Sequence, residues 1–463
     1  MRVCLIVYDN DSYIHWFPQG LAYIARAMKD AGHEVVIYNQ DAYHYPESHL
    51  TEYLSKNRFD AVGVSIVAGY YQYRKLLLLA EAINKVPNRP YFIMGGHGPA
   101  PDPEYFLKKT GADFIAIGEG ERTAVELLSA LEHKSDLSKV DGIACMSGGK
   151  LIKTKPRELI QDIDTIPLPA WELFPIDYYS LVREGNLMRN NQRALQVVSG
   201  RGCTFQCNFC YRLDVGFRPR SAESIIEEIQ ILKKDYHVSY IIFSDELLMT
   251  SVERTVNLCE AFIKAKLDIN WLCNGRLNYA FPEVLKVMKL AGCNFINYGI
   301  ESFDNGMLKV MNKGLTTDRI IKGVEATLAE GMSPGLNIIF GNIGETEEIL
   351  QKGVDFIMKY DNHAQMRTIR PVTPYPGSPL YDYAIEKGLI KDCADFYENK
   401  HKNSDLLSAN FTNMTDDEFH MALFRANKQL IENYYKHAQE RSLEAARKLY
   451  VEKDATFRGF RQS

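Results

Sequence analysis

Apolar residues in the first third of the chain fall into short β-branched runs separated by stretches with helical spacing. Residues 3–7, 34–38, 61–66, 91–94 and 114–117 read as strands. Leu21, Ile24, Ala25 and Met28 share one helical face that Gly32 brings to an end, and further helical patterns cover 50–56, 73–84 and 122–131. Strands alternating with helices predict a doubly wound parallel sheet covered on both faces. In such a sheet a ligand lies beyond the carboxyl ends of the strands, where the strand order reverses. Ser65 closes the third run, Gly95-Gly96-His97-Gly98 the fourth and Gly118-Glu119-Gly120-Glu121 the fifth. Glycines there let a flat or bulky ligand approach the backbone, although turn glycines of a Rossmann-like domain without ligand would look the same.

From residue 135 to 192 the periodicity loosens. Residues 166–175, Ile-Pro-Leu-Pro-Ala-Trp-Glu-Leu-Phe-Pro, are punctuated by proline and read as an interdomain linker in which Trp171 and Phe174 serve packing. A second regular series follows, with strand-like runs at 195–198, 240–243, 269–272, 295–299, 336–340 and 366–370. Helical patterns intervene, the first capped by Ser221 with Ile225, Ile226, Ile229 and Leu232 on one face. Six β/α units predict a partial parallel barrel whose active residues sit at the carboxyl ends of its strands. Helical patterns at 416–435 and 443–450 are expected to cap its open side, and Tyr375, Tyr381 and Tyr383 to serve core packing. The chain therefore divides into an α/β domain over 1–134, a linker over 135–192, a partial (β/α)6 barrel over 193–375 and a helical cap over 376–463.

Composition narrows the partners. A net charge of −5 gives no basic field for a nucleic acid backbone. No apolar run reaches the roughly 18–20 residues of a membrane span, and the amino terminus has neither a secretory core nor a transit composition. Nine cysteines, most of them scattered, suit a reducing compartment, so a cytoplasmic location is expected.

Three of those cysteines are not scattered. Cys203, Cys207 and Cys210 are spaced Cys-x3-Cys-x2-Cys in a loop that opens with Gly200-Arg201-Gly202, directly after the first barrel strand. Thiolates suit zinc or iron–sulfur centres. A closed structural zinc site takes four protein ligands, whereas three leave a position open.

This motif, with Phe209 just before the last cysteine, resembles that of the radical S-adenosylmethionine (SAM) superfamily. The resemblance implies that Cys203, Cys207 and Cys210 hold a [4Fe–4S] cluster whose remaining iron binds SAM. Reductive cleavage of SAM then yields a 5′-deoxyadenosyl radical that abstracts hydrogen from substrate. It also implies a SAM pocket formed by Phe209, by Ser244, Asp245 and Glu246 at the second strand end, by Arg276 at the third, and by Glu301 and Ser302 at the fourth. For these polar residues a solvated loop charge or a helix cap is the rival reading. Glu345-Thr346 fits a helix amino terminus better.

The run from Pro18-Gln19-Gly20-Leu21 through Gly32-His33-Glu34-Val35, together with the glycine-rich strand ends, is similar to the cobalamin-binding class of this superfamily. That resemblance implies cobalamin contacts from Ser65, Gly95, Gly96, His97, Gly118, Glu119 and Gly120. The Asp-x-His-x-x-Gly motif that ligates cobalt in many cobalamin proteins is absent, and His15, His33 and His97 lack its context. The class implies methyl transfer to an unactivated carbon of a small molecule, with an external electron donor such as flavodoxin or ferredoxin. The alternatives are another radical reaction, with or without bound cobalamin, and a non-catalytic cobalamin sensor. A methylthiotransferase is disfavoured, because only Cys4 and Cys145 precede the motif. No catalytic residue and no individual substrate can be named from these motifs.

Overall fold

A computed structural model describes residues 1–9, 11, 16–181, 188, 191–212 and 216–456. Two sheets organise it. The first has seven strands: β1 (Arg2–Val7), β2 (Glu34–Asn39), β3 (Ala61–Ser65), β4 (Tyr91–Gly95), β5 (Phe114–Ala116), β6 (Ile143–Ser147) and β7 (Lys150–Lys153). Their order is β2-β1-β3-β4-β5-β6-β7, parallel through β5 and antiparallel thereafter. The order therefore reverses between β1 and β3, which makes their carboxyl ends the switch point. β1 is buried almost throughout, as a central parallel strand covered on both faces must be.

The β6–β7 hairpin lies within the stretch read as linker. Gly148 and Gly149, both with positive φ (57° and 77°), form its two-residue turn. Beyond it, Trp171 and Phe174 are buried as expected, and Phe17 packs edge-on against Phe174 at 5.3 Å.

The chain then enters β8 (Ala194–Val197) and a small antiparallel pair, β9 (Gly200–Cys203) and β10 (Gly216–Pro219). β11 (Tyr240–Phe243), β12 (Asn270–Gly275), β13 (Cys293–Glu301), β14 (Ser333–Phe340) and β15 (Arg370–Pro371) follow. β8 and β11–β15 form a wholly parallel sheet in sequence order. All six expected barrel strands are present, the sixth reduced to two residues at the edge. Ser221 caps the first barrel helix, Ala222–Tyr236, by accepting the Ser224 N–H.

The carboxyl-terminal region covers two surfaces rather than the barrel alone. Phe396 and Tyr397 join the core on one face of the first sheet, where Tyr397 stacks on Tyr73 at 4.8 Å. The 35-residue helix Asp416–Tyr450 packs on the β14 side of the barrel, with Phe419 stacked on Phe340 at 4.7 Å. A Cβ at Gly341 would meet the Phe419 ring at 2.6 Å, so this docking needs glycine there. Tyr381 and Tyr383 pack against the first-sheet core, as does Tyr375.

Candidate active site

The carboxyl ends of both sheets face one another across a cavity of about 770 Å³. One wall is the switch point of the first sheet: Ser65, Gly95, Gly96, His97, Gly118, Glu119 and Gly120 all line it. The other wall is barrel, with Gly200, Arg201 and Gly202 of the cysteine loop and Ser244, Asp245 and Glu246 beyond β11. The Ser244 hydroxyl donates to Gln19 Oε1 at 2.8 Å and so bridges the walls, while Gln19 Nε2 is buried without a partner.

The first wall is bare in a way that fits a large flat ligand. A Cβ at Gly95 would come no nearer than 3.8 Å to another protein atom, one at Gly118 no nearer than 3.9 Å, and one at Gly20 would meet nothing within 4 Å. These glycines, all lining the cavity, leave space that no other part of the protein takes up. Gly118 and Gly96 both have positive φ, +87° and +93°, which favours glycine in its own right, and at Gly96 a Cβ would also strike the Ile66 carbonyl at 2.4 Å, so that turn itself excludes a side chain. His97 stands edge-on to Tyr211 at 5.7 Å. His33 pairs with the amino terminus at 3.1 Å instead of lining the cavity, and His15 lies outside the described residues.

Asp245 is buried with Oδ1 accepting the Ser199 N–H at 2.7 Å, and its other oxygen has no partner. Burial outweighs Arg254 and the backbone donors, pushing its pKa up to about 6. One face of this carboxyl therefore fixes the start of the cysteine loop while the other remains to be satisfied.

Phe209, Arg276, Glu301 and Ser302 do not line that cavity; Phe209 belongs to the cysteine loop and Arg276 packs against it. Arg276 is buried, with its guanidinium carbon 3.4 Å above the centroid of Phe205 and Nη1 donating to Cys207 Sγ at 3.8 Å. Its Nη2 donates to the Lys313 carbonyl. Glu301 ends β13 at a register irregularity with φ +68°, a left-handed backbone costing on the order of 1–3 kcal/mol in a residue other than glycine. That turn sets its carboxylate 3.0 Å from the buried ammonium of Lys313, which also lies over the Phe209 ring at 5.8 Å. Ser302 is buried next in the chain.

Cys207 and Cys210 share a hydrogen bond that lowers the Cys207 pKa against the effect of burial, and Lys313 and Arg276 add to the lowering. Burial raises the Cys203 thiol. Among the described residues no three His, Cys, Asp or Glu side chains converge on one point as ligands of a single ion. A [4Fe–4S] cluster asks for less convergence, since its thiolates bind separate irons. Asn208 and Asn342 exchange side-chain hydrogen bonds at 3.0 Å, and the Asn208 N–H donates to Met311. The loop is thus pinned to two later segments of the barrel. Thr346 caps the helix Glu347–Tyr360, whereas Glu345 turns back to accept the Gly341 and Asn342 N–H groups.

Lys313, Asn342, Arg201 and Gln19 were not singled out from the sequence. Arg201 stands between two motif glycines, which was a usable signal. Lys313 sits in an ordinary-looking Met-Asn-Lys-Gly loop, and only tertiary packing buries it.

Two known families match successive parts of the chain. Residues 7–128 match the B12 binding domain family and residues 197–357 the radical SAM superfamily. An uncharacterized methyltransferase of Pyrococcus horikoshii is 31% identical over 401 residues, covering 84% of each chain. The chain belongs to the cobalamin-binding radical SAM enzyme family. The cofactors of this family are a [4Fe–4S] cluster, SAM and cobalamin. An anaerobic magnesium-protoporphyrin IX monomethyl ester cyclase of Rubrivivax gelatinosus is 26% identical over 388 residues, 82% of this chain and 68% of that one. The solved structure of the radical SAM methyltransferase TsrM from Kitasatospora setae, with cobalamin and a [4Fe–4S] cluster bound, shares the fold. It superposes with a TM-score of 0.71 at 16% identity, over 92% of this chain and 88% of that one. Among the described residues no helix is long and apolar enough to cross a membrane.

Proposed function

We propose that this enzyme is a cobalamin-dependent radical SAM methyltransferase that acts on an unactivated carbon of a small molecule. One observation carries the reading: the glycine-lined switch point and the barrel face that carries the cysteine loop bound the same cavity. Two cofactors seated on opposite walls would then meet one substrate. When bound, the cluster and SAM supply a carbon-centred radical, and cobalamin supplies a transferable methyl group.

The chain's own residues divide the work. Cys203, Cys207 and Cys210 are the cluster ligands in this account, with Arg276 and Lys313 placing positive charge beside their sulfurs. Ser244, Asp245 and Glu246 face the SAM side of the cavity, where the unpartnered Asp245 oxygen suits an ammonium. Phe209 within the loop, and Glu301 and Ser302 at the end of β13, complete that side. Ser65, Gly95, Gly96, His97, Gly118 and Gly120 form the cobalamin wall. The carboxylate of Glu119, taken up by arginines, contributes in another way. The division of the chain at 134, 192 and 375 belongs to the same reading, with the β6–β7 hairpin as an extension of the first domain. So do a cytoplasmic location and an external flavodoxin- or ferredoxin-like electron donor.

The test is anaerobic incubation with methyl-labelled SAM and a low-potential reductant. 5′-Deoxyadenosine should form, and Cys207→Ala should abolish it. Undiminished formation by that variant would remove the radical assignment. The cyclase relative keeps a second reaction type in view, and label transfer to product separates the two.

A further inference from the structure

Gly118-Glu119-Gly120-Glu121 falls where cobalamin contacts are expected, yet its two acids reach out of their own domain. Glu119 is buried at the end of the first sheet. Its Oε1 accepts from Arg201 Nη1 at 2.8 Å and from Arg218 Nη1 at 2.9 Å. Its Oε2 accepts from Arg218 Nη1 at 3.0 Å and from the Ile160 N–H at 2.6 Å. Glu121 takes the other arm of Arg201, at 2.5 Å from Nη2. Arg218 in turn donates to the Ile160 carbonyl at 2.6 Å, so both backbone polar groups of one interdomain residue are satisfied by the same pair.

The two arginines are cross-strand partners. Arg201 on β9 is in register with Arg218 on β10, and the next pairs along are Gly202 with Phe217 and Cys203 with Gly216. The hairpin gripped by Glu119 therefore carries the first cysteine of the motif two residues from the grip. Gly200 is required for it, since a Cβ there would strike the Phe217 ring at 2.2 Å. Two carboxylates meet two guanidiniums, so the cluster of charges is balanced, and its bonds join the glycine wall, the interdomain segment and the cysteine loop at one point.

We propose that Glu119 is a positioning residue: with Arg201 and Arg218 it latches the cobalamin wall to the cysteine hairpin and so fixes how far the corrin stands from the iron–sulfur cluster. This inference rests on the proposed function above. A loosened latch leaves each cofactor seat intact but lets the two walls move apart, and misplacement by roughly 1 Å can lower a reaction on the order of 100-fold.

The experiment uses the full chain, reconstituted anaerobically with iron, sulfide and hydroxocobalamin, and reads the magnetic interaction between two spins. Reduced cluster and cob(II)alamin are both paramagnetic, and a nearby cluster speeds relaxation of the cobalt signal in electron paramagnetic resonance. Wild-type protein should show that acceleration on cluster reduction. Glu119→Gln should keep wild-type iron and cobalt content and lose most of the acceleration, and Glu119→Asp should restore part of it. Arg218→Gln, made from the other side of the interface, should reproduce the loss. Hydrogen exchange at 200–203 and 216–219 should quicken in both glutamine variants. Unchanged relaxation at full cofactor content in Glu119→Gln would overturn the latch. Loss of cobalt alone in that variant would overturn it too, by making Glu119 a cobalamin ligand. Failure of the underlying reading is distinguishable, because it shows in wild-type protein that binds no cobalt.

Discussion

Arg276 offers the sharpest test of how the cysteine loop is held. Arg276→Met keeps most of the aliphatic stem and removes the guanidinium. Two losses follow. A desolvated cation over an aromatic face, here 3.4 Å from the Phe205 centroid, contributes roughly 2 kcal/mol. The buried Lys313 carbonyl loses its arginine donor, at a cost of roughly 1–3 kcal/mol. Because the two contacts are not additive, the lower total of about 3 kcal/mol is the one to use. At 1.4 kcal/mol per factor of ten, that is on the order of a 100-fold rise in the open population of the loop. Iron removal by a chelator proceeds through such openings, so its rate should rise by about the same factor when reclosing is fast. The assay is the rate of chelator-bound iron formation from anaerobically reconstituted protein. Loss of the donor to Cys207 Sγ should also lower the cluster's reduction potential. Chelation within about twofold of wild type, at equal iron content, would refute this account of the loop.

Gly95→Val should fill the bare wall. Overpacking costs about 1–3 kcal/mol, so cobalamin affinity should fall on the order of tenfold while iron content holds, and unchanged cobalt binding would remove Gly95 from the wall. Phe419→Ala should weaken docking of the carboxyl-terminal helix by roughly 3–5 kcal/mol, visible as a lower denaturation midpoint; an unshifted midpoint would show that the Phe340 stack contributes little. Burial alone would raise the Glu119 carboxyl, but the Ile160 N–H, Arg201 and Arg218 outweigh it and hold its pKa below 4.5. A depressed carboxylate stabilises above its unfolded pKa and loses that contribution as pH falls through the folded value. Protection of the β9–β10 amides should therefore hold steady at neutral pH and fall only in acid below about 4.5, and a loss on raising pH from 7 to 8 would contradict the sign.

The strand runs and helical faces of both domains were legible because each belongs to a parallel sheet, where burial on two faces leaves a plain apolar signature. The cysteine spacing and the glycine strand ends were legible because local geometry fixes residue type there. The β6–β7 hairpin was missed although Gly148-Gly149 announces its turn, since its strands are short and half exposed. The environment of Arg276 was partly hidden. Its position at a strand end is local, but its contacts with Phe205, Cys207 and Lys313 join segments up to 71 residues apart in sequence. Glu119 shows the same limit more clearly. Its motif points to a ligand wall, while its partners Arg201 and Arg218 come from a hairpin 82 and 99 residues away. No periodicity reports such pairing, because it is set by how two domains meet.

The central claim is that both cofactors occupy one protein, on facing walls. Iron and cobalt content after anaerobic reconstitution and gel filtration tests it most directly. The account predicts about four irons and one cobalt per chain, with iron lost and cobalt kept in Cys207→Ala, and iron kept with weakened cobalt retention in Gly95→Val. Four irons with no cobalt in the wild-type protein would contradict it.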